Sequence, residues 1–92
     1  MRDDRFEWDD KKAASNLAKH KVSFELACLV FDDPHAIDEP DNDPDEDRWL
    51  CPGMAANFLL LVVYVERGVR NRIISARPAT SHEQRKYQAQ FP

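Results

Sequence analysis

The longest apolar run of the chain extends from Phe58 to Val65 and limits what this sequence can fold into. It is far shorter than the about 20 residues that a membrane span needs, so we expect no contact with a membrane. Leu and Val dominate the run, and both of its faces are apolar until Tyr64 and Glu66. This pattern is typical of a buried β-strand, which we expect to be the strongest strand of the protein.

Two helical segments precede this strand. Asp9 or Asp10 can cap a helix that ends near His20, and Ser23 can cap a second helix that Pro34 ends. Because only a residue or two separates these helices, the sequence predicts an αα-hairpin.

Weaker strand patterns lie on either side of the apolar run. Residues 35–37 form a weak strand at best, and residues 48–51 start a strand that Pro52-Gly53 ends or turns. Residues 71–77 are predicted to be the hairpin partner of the long strand. The predicted sheet is therefore an antiparallel meander.

Thr80 and Glu83 have the spacing of a capping box, so a last helix is predicted to extend to about Gln90. The complete order is an αα-hairpin, an antiparallel β-meander and a C-terminal helix. We predict a single α+β domain over residues 1–92, with helices covering one face of the sheet.

The ends and the cysteines of the chain indicate a cytoplasmic protein. The charged N-terminal residues 1–5 do not resemble a signal peptide. Cys28 and Cys51 are far apart and form no CxxC motif, which argues against zinc and redox chemistry and favours packed, reduced thiols.

Charge is strongly segregated along the chain. The segment 32–47 contains nine acids and no Lys or Arg, and within it residues 38–47 are predicted to be an acidic loop. The rest of the chain has thirteen bases against eight acids, a net charge of +5, although the whole chain has −4. This asymmetry is typical of a polyanion-binding surface, and ordinary solvated faces are the alternative.

The acidic loop contains the start of a calcium-binding pattern at Asp41, Asp43 and Asp45. The pattern then fails, because Glu46 replaces the required Gly and Pro52 replaces the bidentate Glu. We therefore predict no metal, and we interpret residues 38–47 as a solvated loop; a loop covering a basic cleft is the weaker alternative.

Arg77 follows Ile73, Ile74 and Ala76 in a predicted buried strand. A buried guanidinium needs an anion, so Arg77 is a candidate phosphate clamp. The structural alternative is an ion pair with Glu66 or with an acid of the 38–47 loop.

Lys19 and His20 lie at the end of the first predicted helix. Cations commonly stabilise this end of a helix, which is the structural explanation. The functional alternative is proton transfer, because an imidazole can accept and donate a proton near neutral pH. Farther along, Arg48 and Trp49 could hold a phosphate and stack on a base, although a tryptophan more often belongs to the core.

The sequence has no Gly-rich phosphate loop and no Ser-His-Asp order, so a nucleotide cofactor is not expected. Chemistry that needs only cations and a proton carrier remains. RNA cleavage by its own 2′-hydroxyl is such a reaction.

The ordered motifs of the chain resemble the BrnT toxins over about residues 5–88. The first half contributes Phe6-Glu-Trp-Asp9, Lys12-Ala-Ala, Asn16-Leu, Lys19-His20, Val22-Ser-Phe-Glu25 and Val30-Phe-Asp-Asp-Pro34. The second half contributes Arg48-Trp, Leu60-Leu-Val-Val63, Glu66-Arg67, Arg72-Ile-Ile-Ser-Ala-Arg77, Ala79-Thr80 and Glu83 to Tyr87. Two positions depart from the family pattern: Lys21 replaces a usual Gly, and Tyr64 replaces a frequent His.

The resemblance implies a RelE-like fold and a ribonuclease toxin of a type II toxin–antitoxin pair, which would inhibit translation by metal-independent RNA cleavage without a cofactor. It implies a BrnA-like DNA-binding antitoxin as partner, with a homodimer or a toxin–antitoxin heterotetramer as the assembly, and RNA, free or on the ribosome, as substrate. Its catalytic candidates are Lys19, His20, Arg48, Glu66 and Arg77. The RNA-binding candidates are Trp49, Arg72, Arg85 and Tyr87, of which Arg72 and Arg85 come from the basic segment 67–86.

In the implied scheme, Arg77 and Arg48 hold the scissile phosphate and Lys19 helps to neutralise it. His20 or Glu66 moves the proton. Two alternatives are a weak or inactive toxin that acts mainly in a repressor complex with its antitoxin, and a free-standing nucleic-acid-binding domain.

Overall fold

The structure is a computed structural model, and it describes residues 1–90 of the chain. Its elements are β1 (Phe6–Glu7), α1 (Asp10–His20), α2 (Phe24–Ala27), a 3₁₀ helix (Cys28–Asp32), β2 (Glu39–Asp41), β3 (Arg48–Ala55), β4 (Phe58–Arg67), β5 (Arg70–Pro78) and α3 (Ser81–Gln88). The predicted α+β class is confirmed.

The strands form one sheet in the order β1-β5-β4-β3-β2. The pairs β2–β3, β3–β4 and β4–β5 are antiparallel, whereas the short β1 is parallel to β5. The apolar run from Phe58 to Val65 lies in β4, the longest and central strand of this sheet. The prediction for this segment is therefore confirmed.

Helices pack on both faces of the sheet. Leu60 and Val62 of β4 point into the core, where they join the fully buried Phe24 and Val30 of the helical layer. Successive side chains of a strand alternate between faces, so Leu61 points away from that core. It lies beneath α3 and is buried as well. The prediction that the helices cover one face is therefore wrong.

The first helix has the predicted bounds, and its ends have clear physical causes. The side chain of Asp9 accepts hydrogen bonds from the backbone N–H groups of Lys11 and Lys12. Lys21 ends the helix in the left-handed conformation, with φ of 61°, although it has a Cβ. Its backbone N–H bonds to the carbonyl of Leu17, and its Nζ donates to the carbonyl of Ala18. These bonds offset the conformational cost of a residue other than Gly at this position.

The second helical segment is shorter than the αα-hairpin prediction required. Ser23 caps it as predicted by accepting a bond from the N–H of Leu26, but the α-helix has only four residues. It continues as the 3₁₀ helix Cys28–Asp32. The structure therefore has one helix followed by a compact helical corner.

Strand β3 runs through Pro52 and Gly53, which were predicted to end it. Gly53 allows the strand to lie against the helical layer, because a Cβ there would come within 2.7 Å of Cγ1 of Val30. The acidic loop also contains a strand that was not predicted, β2, and Pro40 is tolerated there because β2 is an edge strand. Residues 35–37 form no strand.

The edge of β5 beyond β1 is closed by a side chain of α1. The buried amide of Asn16 donates to the backbone carbonyl of Ala76 at 2.7 Å and accepts from its N–H at 3.1 Å. The same amide donates to the carbonyl of Val22 at 2.9 Å. Asn16 thus fixes α1 against the strand that precedes Arg77.

A carboxylate closes the corresponding edge of β3. Asp33 accepts hydrogen bonds from the backbone N–H of Met54 at 2.7 Å and from the hydroxyl of Tyr87. Partial burial acts to raise the pKa of Asp33, but the hydrogen bonds from Tyr87 and Met54 outweigh it and lower this pKa. The carboxylate is therefore held in its charged form.

Tyr64, which occupies a position where the resemblance led us to expect a His, belongs to the interior. Its ring lies edge-on to Phe31 at 5.0 Å, and its hydroxyl donates to Asp38 at 2.7 Å. Burial, together with Asp38, raises its pKa.

Both cysteines are free thiols. None of the helices within residues 1–90 combines the length and the apolar character that a membrane crossing requires.

Candidate functional site

A cationic groove lies between α1 and β5. It has a volume of about 330 Å³ and is lined by Lys11, Lys12, Ser15, Asn16, Lys19, His20, Ile74 and Ser75. Positions 12, 16 and 19 follow the spacing of one helical face, so the bond between Asn16 and Ala76 also directs Lys12 and Lys19 towards the strand. We call this the cationic groove.

A larger groove adjoins it at His20, which lines both. This second groove has a volume of about 810 Å³ and lies between the end of α1, the β3–β4 hairpin and α3. Its lining is mainly apolar and includes Met54, Phe58 and Leu59. We call it the apolar groove. Among the residues that the structure describes, no Asp or Glu lines either groove.

Arg77 lies on β5 next to the cationic groove. Ser75, which lines that groove, is two residues away and therefore shares its face of the strand at a distance of about 7 Å. The guanidinium of Arg77 forms two hydrogen bonds with Glu83, at 2.8 and 2.9 Å, and Nη1 also contacts the carbonyl of Pro78. The predicted structural partners of Arg77, Glu66 and the 38–47 loop, were wrong.

The ion pair leaves one edge of Arg77 available. Its Nε donates no hydrogen bond to any residue of the range 1–90, whereas Nη1 and Nη2 both contact Glu83. The hydrogen bond with Arg77 lowers the pKa of Glu83 to about 2, and the pair raises the pKa of Arg77. Arg77 is therefore a permanent cation with one donor edge directed away from its partner.

The structure brings three predicted catalytic residues to the same strand. Lys19 and His20 lie beside Ile74 and Ser75, and His20 also lies beside Pro78 at the end of β5. Arg77 lies between Ser75 and Pro78 on the same strand, but it lines neither groove. Lys19 and His20 are therefore brought together in one groove, and Arg77 lies on the adjoining segment of the strand.

The other two predicted catalytic residues, Arg48 and Glu66, lie at the opposite end of the sheet. They line a groove of about 340 Å³ together with Trp49, Pro40, Asp41 and Asp47. Nε of Arg48 donates to Glu46, and Nη1 lies 3.5 Å from Asp43. These acids of the loop raise the pKa of Arg48 and neutralise its charge locally. We call this the acidic groove.

The register of the sheet separates Arg48 from Arg77. Arg48 pairs with Val65 of β4, whereas Arg77 pairs with Leu61. Four residues along a strand correspond to about 13 Å. The guanidinium groups of Arg48 and Arg77 are paired with different acids, so this structure does not bring the five predicted catalytic residues into one groove.

The predicted RNA-binding residues are also dispersed. Trp49 is half-buried and packs against the core, and Tyr87 is only 3% exposed. Arg72 forms an ion pair with Glu7 at 2.7 Å, and Arg85 is exposed on α3. The positions of Trp49 and Tyr87 give no support to base stacking, and their roles in RNA binding stay predictions.

Sequence reasoning missed Lys11, Lys12 and Ser75. The spacing of positions 12, 16 and 19 could have indicated a common helical face, but the edge of the strand that this face contacts is visible only in the fold. Within residues 1–90, no group of three or more His, Cys, Asp or Glu side chains is arranged to hold a metal ion.

A protein-family model matches residues 8–83 of the chain. The model describes the ribonuclease toxin, BrnT, of type II toxin–antitoxin systems. No curated protein matches the chain. Because the match spans most of the 92 residues, this chain belongs to the BrnT family of ribonuclease toxins of type II toxin–antitoxin systems.

Proposed function

We propose that this protein is a metal-independent endoribonuclease that cleaves RNA through the 2′-hydroxyl and thereby inhibits translation. Membership of the family supplies the ribonuclease toxin class. The observation that carries the mechanism is the cationic groove along α1 and β5, which no acid lines within residues 1–90. Arg77 lies on β5 two residues beyond Ser75 of this groove.

The groove offers the charge that this reaction needs. Attack of the 2′-hydroxyl places extra negative charge on the phosphate, and fixed cations stabilise it. Lys19 and the free Nε edge of Arg77 are the proposed phosphate contacts. Lys11 and Lys12 contact the neighbouring phosphates of the strand, since they lie farther along the same groove.

His20 is the proposed proton carrier, because it lies where the two grooves meet. An imidazole can accept the proton of the 2′-hydroxyl or donate one to the leaving 5′-oxygen. Glu66 was the alternative, but it lies in the acidic groove at the other end of the sheet. The products are a 2′,3′-cyclic phosphate and a free 5′-hydroxyl.

The proposed partner is a BrnA-like DNA-binding antitoxin, in a homodimer or a toxin–antitoxin heterotetramer. A second candidate function, a binding protein with little activity, is favoured by one observation. Arg48, Arg72 and Arg77 each form an ion pair with a carboxylate of the same chain. In that case the toxin would act mainly in a repressor complex.

The test is cleavage of a defined RNA by the purified protein in EDTA. A matched substrate contains a single 2′-deoxy sugar at the cleaved position. We expect cleavage of the RNA, no cleavage at the deoxy position, and cyclic-phosphate ends on the product. Loss of activity in EDTA, or cleavage at the deoxy position, would contradict the mechanism.

Induction of the chain in bacteria separates the two candidates. An active toxin arrests growth and lowers amino-acid incorporation, and the Lys19→Ala variant does so less. Unchanged growth and incorporation at equal protein level, together with no cleavage of free or ribosome-bound RNA, would favour the binding role.

A further inference from the structure

We propose that the apolar groove is a nucleobase pocket, which receives the base of a nucleotide next to the cleaved phosphate. This inference rests on the proposed function, because it assigns the neighbouring groove to the sugar–phosphate backbone. It adds a binding site and a basis for sequence preference.

The position of the pocket follows from His20. This residue lines both grooves, so a strand whose phosphates follow the cationic groove places a base directly at the mouth of the apolar groove. Single-stranded RNA is recognised in this manner, by cations along the backbone and apolar or aromatic surfaces beneath unstacked bases.

Phe58 is the aromatic surface at this mouth. It begins β4 and is 59% exposed as a residue, although a large apolar ring is normally buried. Met54 is also exposed on the same hairpin. Stacking of a base would remove both side chains from water.

Three amide side chains supply polar contacts within the mainly apolar lining: Asn57, Gln84 and Gln88. Amides of this kind pair with the edges of bases. The Nε2 of Gln84 donates to the backbone carbonyl of Ala79 at 3.1 Å. This bond orients the amide and leaves Oε1 and the second N–H of Nε2 available to the edge of a base.

The absence of acids among the described lining residues, and the presence of Lys21 at the rim, suit a polyanionic ligand. An amphipathic segment of the antitoxin is a different occupant, and the experiment distinguishes it from RNA.

The experiment measures kcat/KM on RNAs that differ only in the base next to the cleaved bond, with an abasic nucleotide as one member. We expect the wild-type protein to cleave the abasic substrate at least about fivefold more slowly than the adenine substrate. Phe58→Ala should lower kcat/KM on the adenine substrate about 10-fold, because base–aromatic stacking contributes about 1–3 kcal/mol. On the abasic substrate this variant should equal wild type.

Gln84→Ala should change the ratio of kcat/KM between the adenine and uracil substrates, while the slower cleavage of the abasic substrate remains. The matched control is Val69→Ala, which truncates an 86% exposed apolar residue in the β4–β5 turn, away from both grooves. It should behave as wild type on every substrate.

Equal effects of Phe58→Ala on the adenine and abasic substrates would overturn the inference. A second result would also overturn it: Phe58→Ala and Gln84→Ala keep the base preference of the wild-type protein but bind the antitoxin more weakly. The apolar groove would then hold the antitoxin instead of a base. If the wild-type protein cleaves no RNA, the proposed function fails separately. Fluorescence anisotropy with deoxy-substituted RNA then still tests the pocket by the same comparison of adenine and abasic strands.

Discussion

Strands β5 and β3 each have backbone groups that no neighbouring strand pairs, and different side chains bind these groups. At β5 the amide of Asn16 satisfies both the N–H and the carbonyl of Ala76. At β3 the carboxylate of Asp33 accepts from the N–H of Met54 and from Tyr87. Both bonds attach the helical layer to an otherwise open strand.

The difference between these edges is one of charge. An amide both donates and accepts without adding charge, whereas a carboxylate only accepts and adds a negative charge. The groove beside Asn16 contains three lysines and no acid among the described residues. Asp33 lies near one end of β3, and the acidic groove with Asp41, Asp47 and Glu66 lies at the other end, beside Arg48. An acidic chain therefore retains one side on which a polyanion can bind.

The largest expected effect separates the two arginines. Arg77→Ala should lower the rate of RNA cleavage about 100-fold, the size typical of a lost contact to transition-state charge. Arg48→Ala should lower it less than threefold, because acids of the loop already neutralise this residue.

Glu83→Gln is the control for a purely structural role of Arg77. It breaks the ion pair but keeps the guanidinium, so it should cleave RNA at least as fast as wild type. Equal losses of cleavage rate in Arg77→Ala and Glu83→Gln would contradict a phosphate-binding role of Arg77.

The second prediction compares the two edges in stability. Asn16→Ala leaves the buried carbonyls of Val22 and Ala76 and one buried N–H without partners, which should lower the free energy of unfolding by about 3 kcal/mol. Asp33→Ala leaves the N–H of Met54 and the hydroxyl of Tyr87 partly exposed to water, so it should lower the free energy of unfolding by only about 1 kcal/mol. Urea denaturation measures both values, and an equal or reversed order would break the comparison.

The third prediction concerns salt. Lys12→Ala should reduce the slope of log affinity against log salt concentration by about 0.7, the value for one phosphate contact on a single strand. Lys86→Ala is the matched control, because Lys86 forms an ion pair with Glu39 instead of lining the cationic groove. A binding titration with RNA at four salt concentrations measures the slopes. Equal slopes in the two variants would show that Lys12 contacts no phosphate of the bound RNA.

The smallest expected effect is a pH dependence. The pKa of Glu83 is lowered to about 2 from the ordinary value of 4.5. The stabilisation that the ion pair of Glu83 with Arg77 gives to the folded state is therefore complete above pH 4.5, and it disappears as pH falls towards 2. The difference in unfolding free energy between wild type and Glu83→Gln should be at most about 1 kcal/mol, because the pair is partly exposed, and should shrink over this range.

The sequence predicted correctly the helix starts and the central strand, which depend on residues close together in the chain. Asp9, Ser23 and Thr80 cap their helices as expected, because each cap depends on residues within one turn. The apolar run 58–65 became the central strand because no other position could bury both of its faces.

Predictions failed where a distant contact decides the outcome. Gly53 continues β3 instead of ending it, because Val30 packs against a backbone that has no side chain at this point. Lys21 adopts positive φ because backbone and side-chain bonds hold it. The partner of Arg77 depends on how α3 crosses the sheet, and a linear pattern contains no information on that crossing.

The central claim is that RNA binds along α1 and β5 and not in the acidic groove. Backbone amide NMR shifts of the labelled protein, recorded during titration with a deoxy-substituted, uncleavable RNA, test it most directly. The account predicts the largest shifts within residues 11–21 and 74–79. Shifts concentrated within residues 39–50 and at Glu66 would contradict it.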